Sequence, residues 1–153
     1  MKVAIGADHR GYRLKSAIIE YLRGKGVEVI DFGTDTDEVS VDYPDYAIPV
    51  AEAVAKGDAD RGILICMTGV GMSITANKVK GVRAGLIYIP NLTELARKHN
   101  NINVLCLPGG YMEPEKAYTA VDLFLNTEFE GGRHERRISK IAAYEEEKCK
   151  NSG

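Results

Sequence analysis

Cysteine is scarce in this chain, three in 153 residues, and an odd, sparse set does not make a disulfide framework. It fits reduced thiols, so a cytoplasmic protein is expected. The Cys and His residues nowhere take zinc-ligand spacing along the chain, and neither a metal nor a cofactor is expected. No apolar run is long enough to span a membrane, and Met1-Lys2 leads straight into strand-like sequence, so no signal peptide is expected. Charge of neither sign dominates: 20 Lys and Arg stand against 22 Asp and Glu, a net charge of -2. That argues against nucleic acid or an acidic membrane as a general partner and leaves only local basic patches. Internal repeats and low-complexity segments are absent.

What is present is an ordinary globular mixture, 44% hydrophobic and 27% charged. The length suits one domain over residues 1–153, and a domain of this size buries about 70% of its unfolded surface, enough for a core without staples. Strand and helix patterns alternate along it. Lys2–Ala7 reads as a first strand, and Leu14, Ala17, Ile18, Tyr21 and Leu22 recur at helical spacing until Gly24 and Gly26. Val27–Asp31 reads as a second strand; a polar loop leads to Pro44, which opens a helix with Ala47, Val50, Ala51 and Val54 on its apolar face and Gly57 at its end. Further strands are expected at Gly62–Cys66, Arg83–Ile87 and Asn103–Leu107, and helices over 72–79, around Leu92–Ala96, from Pro114 to Leu125 and from about Arg133 to Lys148. The alternation predicts a three-layer, Rossmann-like α/β sandwich: a five-stranded parallel sheet, helices on both faces and a C-terminal helix. In such sheets ligands bind beyond the carboxyl ends of the strands, where the winding reverses. If the first and third strands are neighbours there, Asp8-His9 and Cys66–Gly71 share one crevice.

The stretch Ile63-Leu64-Ile65-Cys66-Met67-Thr68-Gly69-Val70-Gly71-Met72-Ser73 organises that expectation. An apolar strand ends in a thiol, a hydroxyl and a glycine turn before a helix. Backbone N–H groups at a helix start favour negative charge, and a thiol beside them can act as base or nucleophile. Known phosphate signatures fail by spacing: no third glycine completes a dinucleotide fingerprint, no Gly-Lys-Ser/Thr ends a Walker loop, and Met72 stands where a cysteine phosphatase loop has arginine. The turn therefore reads as a small oxyanion site.

A set of motifs carries a resemblance over about residues 1–141: Asp8-His9, Asp42-Tyr43-Pro44-Asp45-Tyr46, Cys66-x-Thr68-Gly69-x-Gly71-Met72-Ser73-Ile74-x-Ala76-Asn77-Lys78, His99-Asn100, and Glu130-Gly131-Gly132-Arg133-His134-x-x-Arg137. In this order and at this spacing they resemble the type B ribose-5-phosphate isomerases, whose family also includes allose-6-phosphate and galactose-6-phosphate isomerases. The resemblance implies cofactor-free interconversion of an aldose phosphate and a ketose phosphate through an enediolate. It also implies a homodimer with active sites at the subunit interface, which places the C-terminal helix in that interface; association to a tetramer is left open.

On that basis the catalytic residues are Cys66 as the C2 base, Thr68 as a proton relay, and His99 with Asp8 for opening the sugar ring. Gly69, Val70 and Gly71 would hold the oxyanion, and Met67, Met72 and Tyr111 are counted among the substrate-binding residues. Tyr43 and Asn100 would orient hydroxyls. Arg133 and Arg137, four apart on one helix, share a face and make a phosphate clamp, with His9 as a third contact. The sequence departs from the family at Met67, where glycine is usual, and at Tyr111, where an arginine usually binds phosphate. Those departures, with the atypical segment Tyr88–Leu92, keep another sugar or sugar phosphate open as substrate. A binding module without catalysis is the contrasting class; the acid–base set Cys66, Thr68, His99 and Asp8 argues against it, since binding alone needs no such set.

Overall fold

The computed structural model describes residues 1–151. Among these, β1 (Lys2–Ala7), β2 (Glu28–Asp31), β3 (Arg61–Cys66), β4 (Ala84–Leu86) and β5 (Val104–Pro108) form one sheet in the order β2-β1-β3-β5-β4. Every strand pair is parallel. The apolar runs of β1, β3 and β5 are nearly continuous because helices cover both faces of these central strands. One face carries α1 (Tyr12–Gly24), α4 (Thr93–Asn100) and α5 (Pro114–Asn126) over Ile5, Ile63, Ile65, Leu105 and Leu107. The other carries α2 (Pro44–Lys56) and α3 (Val70–Ala76) over Ala4, Leu64, Val104 and Cys106. The predicted three-layer sandwich is the observed one.

A last helix, α6 (Arg133–Asn151), packs on α4 through buried His134 and Ile138. It leaves a cavity of about 590 Å³ against the β4 side of the sheet, lined by Leu86, Ile87, Ile138 and Ile141 among others. Beyond it the helix is tied to the turn before β4 by Lys80 to Glu146 and by the Gly81 N–H donating to Glu145. No helix among the described residues is long and apolar enough to cross a membrane.

Local chemistry explains where the elements stop. Pro44 sits in the first turn of α2, and Gly57 ends it in the left-handed conformation, both as the sequence predicts. The helix expected over 72–79 instead begins at Val70 and ends at Ala76. Asn77 ends it: its amide side chain donates to the Ala84 carbonyl and accepts from the Ala84 N–H, tying the chain to the start of β4. The helix expected near Leu92 opens with a single 3-10 turn at Pro90–Leu92 before α4.

The winding turns back after β2, because α1 carries the chain from β1 to β2 and α2 returns it across β1 to β3. The switch point thus falls between β1 and β3, which pair in register Ala7 with Ile65. It falls there only because the two loops can touch: Gly11, at the start of α1, lies against β3 so closely that a Cβ would come 2.3 Å from the Ile65 carbonyl oxygen.

Candidate functional site

At the switch point Asp8 and His9 stand beside Cys66, Met67 and Thr68, the adjacency the sequence argument requires. The Asp8 N–H donates to the Ile65 carbonyl at 3.3 Å. The buried Asp8 carboxylate accepts from the N–H groups of Arg10 and Gly11 at 3.0 and 3.1 Å, so it braces the turn into α1. His9 Nδ1 accepts from the Val41 N–H at 3.1 Å, which leaves the ring proton of the neutral form on Nε2, a donor for the crevice. Cys66 is 5% exposed at the end of β3, packed among the core residues under α2 and α3.

The turn beyond Cys66 is shaped by its glycines. Gly69 has φ +76°, and a Cβ on it would come 2.6 Å from Leu86 Cδ1, so both conformation and space demand glycine. Gly71 lies under the Tyr43 ring, with Cζ 2.6 Å from where a Cβ would be. Thr68 Oγ1 accepts from the Val70 N–H at 3.2 Å and keeps its own proton to donate. The Val70 N–H is therefore engaged, and the helix-start N–H groups left without an acceptor inside α3 are those of Gly69, Gly71 and Met72. Met72 contributes only its backbone: its side chain is fully buried in the core beneath the turn, against the expectation that it meets substrate. The cause is its place three residues into a helix that packs on α2.

Met67 lies over the loop after β5; a Cβ on Gly110 would come 2.3 Å from the Met67 sulfur. Tyr111, 67% exposed, rims the same loop. Tyr88 is a feature that sequence reasoning noted only as atypical: its hydroxyl donates to the Thr68 carbonyl at 2.7 Å and so fixes the turn from the β4 side. No spacing in the sequence pairs residues 68 and 88.

His99, Asn100, Arg133 and Arg137 are elsewhere. α4 runs back from the carboxyl end of β4 to the amino end of β5, so His99, in its last turn, is at the opposite end of the sheet. Arg97 beside it is felt by Arg61 at the start of β3, and burial, then Arg61 and Arg83, lower its pKa to about 10. A strand of this length separates the two ends by roughly 15–20 Å. Within one chain Asp8 is thus not beside His99. The neighbours of His99 are His134, stacked on it with ring centroids 4.2 Å apart, and Glu130, whose Oε1 is 3.8 Å from His99 Nε2. Burial, with His99 and Arg133 adding to it, holds the His134 pKa below the usual histidine value. Arg133 and Arg137 are exposed on the outer face of α6, one turn apart, as predicted.

The fold is that of an open, doubly wound α/β protein, and its switch point, where a thiol, a hydroxyl and a glycine turn meet, is the candidate site. The family model described as Ribose/Galactose Isomerase matches residues 3–141. The chain belongs to that family. It is 48% identical to the ribose-5-phosphate isomerase B of Escherichia coli over 145 residues, 95% of this chain and 97% of that one. Among solved structures, the Clostridium thermocellum ribose-5-phosphate isomerase B superposes with a TM-score of 0.93 at 48% identity, covering 96% of this chain and 99% of the other. The Mycoplasma genitalium ribose-5-phosphate isomerase B, solved with bound ribulose 5-phosphate, gives 0.91 at 48% identity over 95% and 97%.

Proposed function

We propose that the protein interconverts ribose 5-phosphate and ribulose 5-phosphate, with no cofactor. The observation that carries this is the pairing of β1 with β3, which sets Asp8-His9 against Cys66–Thr68 in one crevice. Close relatives that carry the name ribose-5-phosphate isomerase B support it.

Cys66, as thiolate, removes the proton from C2 of the open-chain aldose. The electron pair moves into the C1–C2 bond and charge develops on O1, giving the enediolate. The N–H groups of Gly69, Gly71 and Met72 face that charge, and such donors are worth about 3–4 kcal/mol each in comparable sites. Thr68 moves a proton from O2 to O1, and the thiol of Cys66 returns its proton to C1, completing the ketose. A base placed in this way contributes about 10²–10⁴-fold. Tyr43 flanks the sugar, and the donor at His9 Nε2 takes a phosphate or hydroxyl oxygen.

One chain does not complete the site. The crevice has base, relay and oxyanion donors; the far end of the same chain has His99, Asn100, Arg133 and Arg137, with no substrate chemistry beside them. A second copy docked in the reverse sense brings these to the first copy's crevice, His99 to open the ring and the arginines to clamp the phosphate. Exposed apolar side chains at Ile74, Tyr88, Ile89, Leu92 and Leu95 and, on α6, Ile141 support such a contact. In this reading residues 1–153 form one domain, α6 lies in the contact between copies, and a reducing cytoplasm keeps the thiol active. Met67 and Tyr111, the latter supplying a phenol and no charge to the phosphate, make another sugar or sugar phosphate, such as allose 6-phosphate or galactose 6-phosphate, the second reading should the pentose fail.

The test is proton NMR in D₂O with ribose 5-phosphate. Appearance of ribulose 5-phosphate with deuterium at C1 is expected. Activity only on hexose 6-phosphates would overturn the substrate, and no exchange on any of these sugars would overturn the reaction.

A further inference from the structure

We infer that Arg97 is a positioning residue for the isomerisation: its buried guanidinium fixes the turn that presents His99 and Asn100, and opening of the sugar ring depends on it. Arg97 is 3% exposed in the last turn of α4, at the end of the sheet away from the crevice. Its hydrogen bonds run to the exit of its own helix and to the linker after α5. Nη1 donates to Asn101 Oδ1 at 2.8 Å and to the Ile102 carbonyl at 2.6 Å, and Nε donates to the Thr127 carbonyl at 3.0 Å. All three acceptors are neutral. Burying a guanidinium is costly, and packing alone would be met by an apolar side chain of similar length. What the guanidinium adds is direction, because its rigid fork meets acceptors on two edges at fixed angles.

His99 and Asn100 lie in the chain between Arg97 and the acceptors at Asn101 and Ile102. The chain leaves α4 through Asn101 at φ +46°, a left-handed conformation that asparagine tolerates better than most residues. The Asn101 and Ile102 N–H groups donate back to the carbonyls of Arg97 and Ala96 at 3.1 and 3.4 Å, and Arg83 Nε donates to the Asn101 carbonyl at 2.9 Å. The arm to Thr127 reaches the linker that leads into α6. Further along it the Glu130 N–H donates to the Lys98 carbonyl at 3.1 Å, and α6 stacks His134 on the His99 ring. A helix end opens easily unless something closes it. Here one side chain closes the turn and ties it to the segment that carries Arg133 and Arg137. Sequence reasoning passed over Arg97 because a cation in the last turn of a helix ordinarily faces solvent and the helix dipole.

The role in catalysis rests on the proposed function, in which His99 opens the ring. Ribulose 5-phosphate supplies the control, because it has no ring to open: its C5 oxygen carries the phosphate and its C4 hydroxyl is too near the C2 carbonyl to close one. Two rates are measured by proton NMR in D₂O with the full chain at saturating sugar. One is net conversion of ribose 5-phosphate; the other is exchange of the C1 hydrogen of ribulose 5-phosphate for deuterium, which needs the base and the oxyanion donors but not ring opening. Fewer folded molecules, weaker assembly or a weaker phosphate clamp lowers both rates together. Loss of His99 placement lowers the first against the second. Arg97→Lys keeps the charge but puts one nitrogen in place of the fork, and the ratio of conversion to exchange should fall at least about tenfold. Asn101→Gly keeps the left-handed turn and removes one acceptor, so its ratio should fall about threefold or more, while Asn101→Asp keeps the acceptor and should stay within about twofold of wild type. The Asn101 pair decides if Arg97→Lys does not fold. His99→Ala should lower the ratio as well. If it does, but the rates fall together in Arg97→Lys, or the two Asn101 variants have equal ratios, the positioning role is overturned. An unchanged ratio in His99→Ala overturns the ring-opening role of His99, and the role of Arg97 falls with it.

Discussion

The proposed division of the site between two ends of the chain makes a quantitative demand. Cys66→Ala removes the proposed base, and since the thiol is a small buried group at a strand end, the variant should fold and lose at least about 10² in turnover. Arg137→Ala removes one exposed guanidinium that packs on nothing in the core. Losing a charge-assisted contact of about 1.5–3 kcal/mol lowers kcat/KM by about 10–150-fold, chiefly through KM. Neither homodimer should therefore exceed about a tenth of the wild-type rate at low substrate. In a hybrid dimer with one chain of each kind, one crevice has both lesions and the other has none, if each crevice takes its arginines from the other chain. Co-expression with two different tags and purification on both in sequence isolates that hybrid. Its expected kcat/KM is about half the wild-type value per dimer, at least about five times that of either parent. If each crevice used the arginines of its own chain, every site in the hybrid would be damaged once, and the rate would stay at the parental level. That outcome, with the hybrid shown to be a dimer, refutes the shared site.

Three further outcomes follow from the packing. Gly11→Ala puts a Cβ 2.3 Å from the Ile65 carbonyl oxygen and should cost about 1–3 kcal/mol, a loss of about 3–10 °C in Tm; Gly24→Ala, with nothing within 4 Å, should raise Tm slightly, and equal effects in a circular-dichroism melt would contradict the close approach. Thiol alkylation followed by peptide mapping should modify exposed Cys149 first, Cys66 more slowly and Cys106 only after denaturation, because burial raises the Cys106 pKa far above the usual thiol range; early labelling of Cys106 would mean the sheet opens. Tyr111→Arg adds a charge on an exposed loop and should lower KM for a phosphorylated substrate by about tenfold; an unchanged KM would put the phosphate elsewhere.

Much of this molecule was legible from residue patterns. The alternation of strand and helix follows from apolar periodicity, the adjacency of β1 and β3, posed from the sequence only as a condition, is met by the sheet order, and the thiol and its glycine turn sit at the end of β3. What pattern could not give was direction over distance. His99 and Arg133 stand in motifs as clear as that of Cys66, but α4 and α5 carry the chain back across the sheet, so within one chain they share no site with it. Side-chain orientation was hidden too. Met72 follows the glycine turn in sequence, yet a helix start that packs on α2 sends it into the core. The Val70 N–H looked free until Thr68 Oγ1 was seen to accept from it. Tyr88 reaches Thr68 from the neighbouring side of the sheet, a contact no local motif encodes.

The sheet ends in β2, four residues long, and β4, three. Both are too short to serve as a template for a strand from another molecule, and β2 begins with Glu28 and ends with Asp31. Copies of this chain can therefore meet through loops and helices, where side chains decide the fit, but not by stitching backbone to backbone into a ribbon. A two-fold contact of side chains closes on itself at two copies. Growth along an open margin would have no end, and the short outer strands give the molecule at high concentration a way to assemble without running on into fibres.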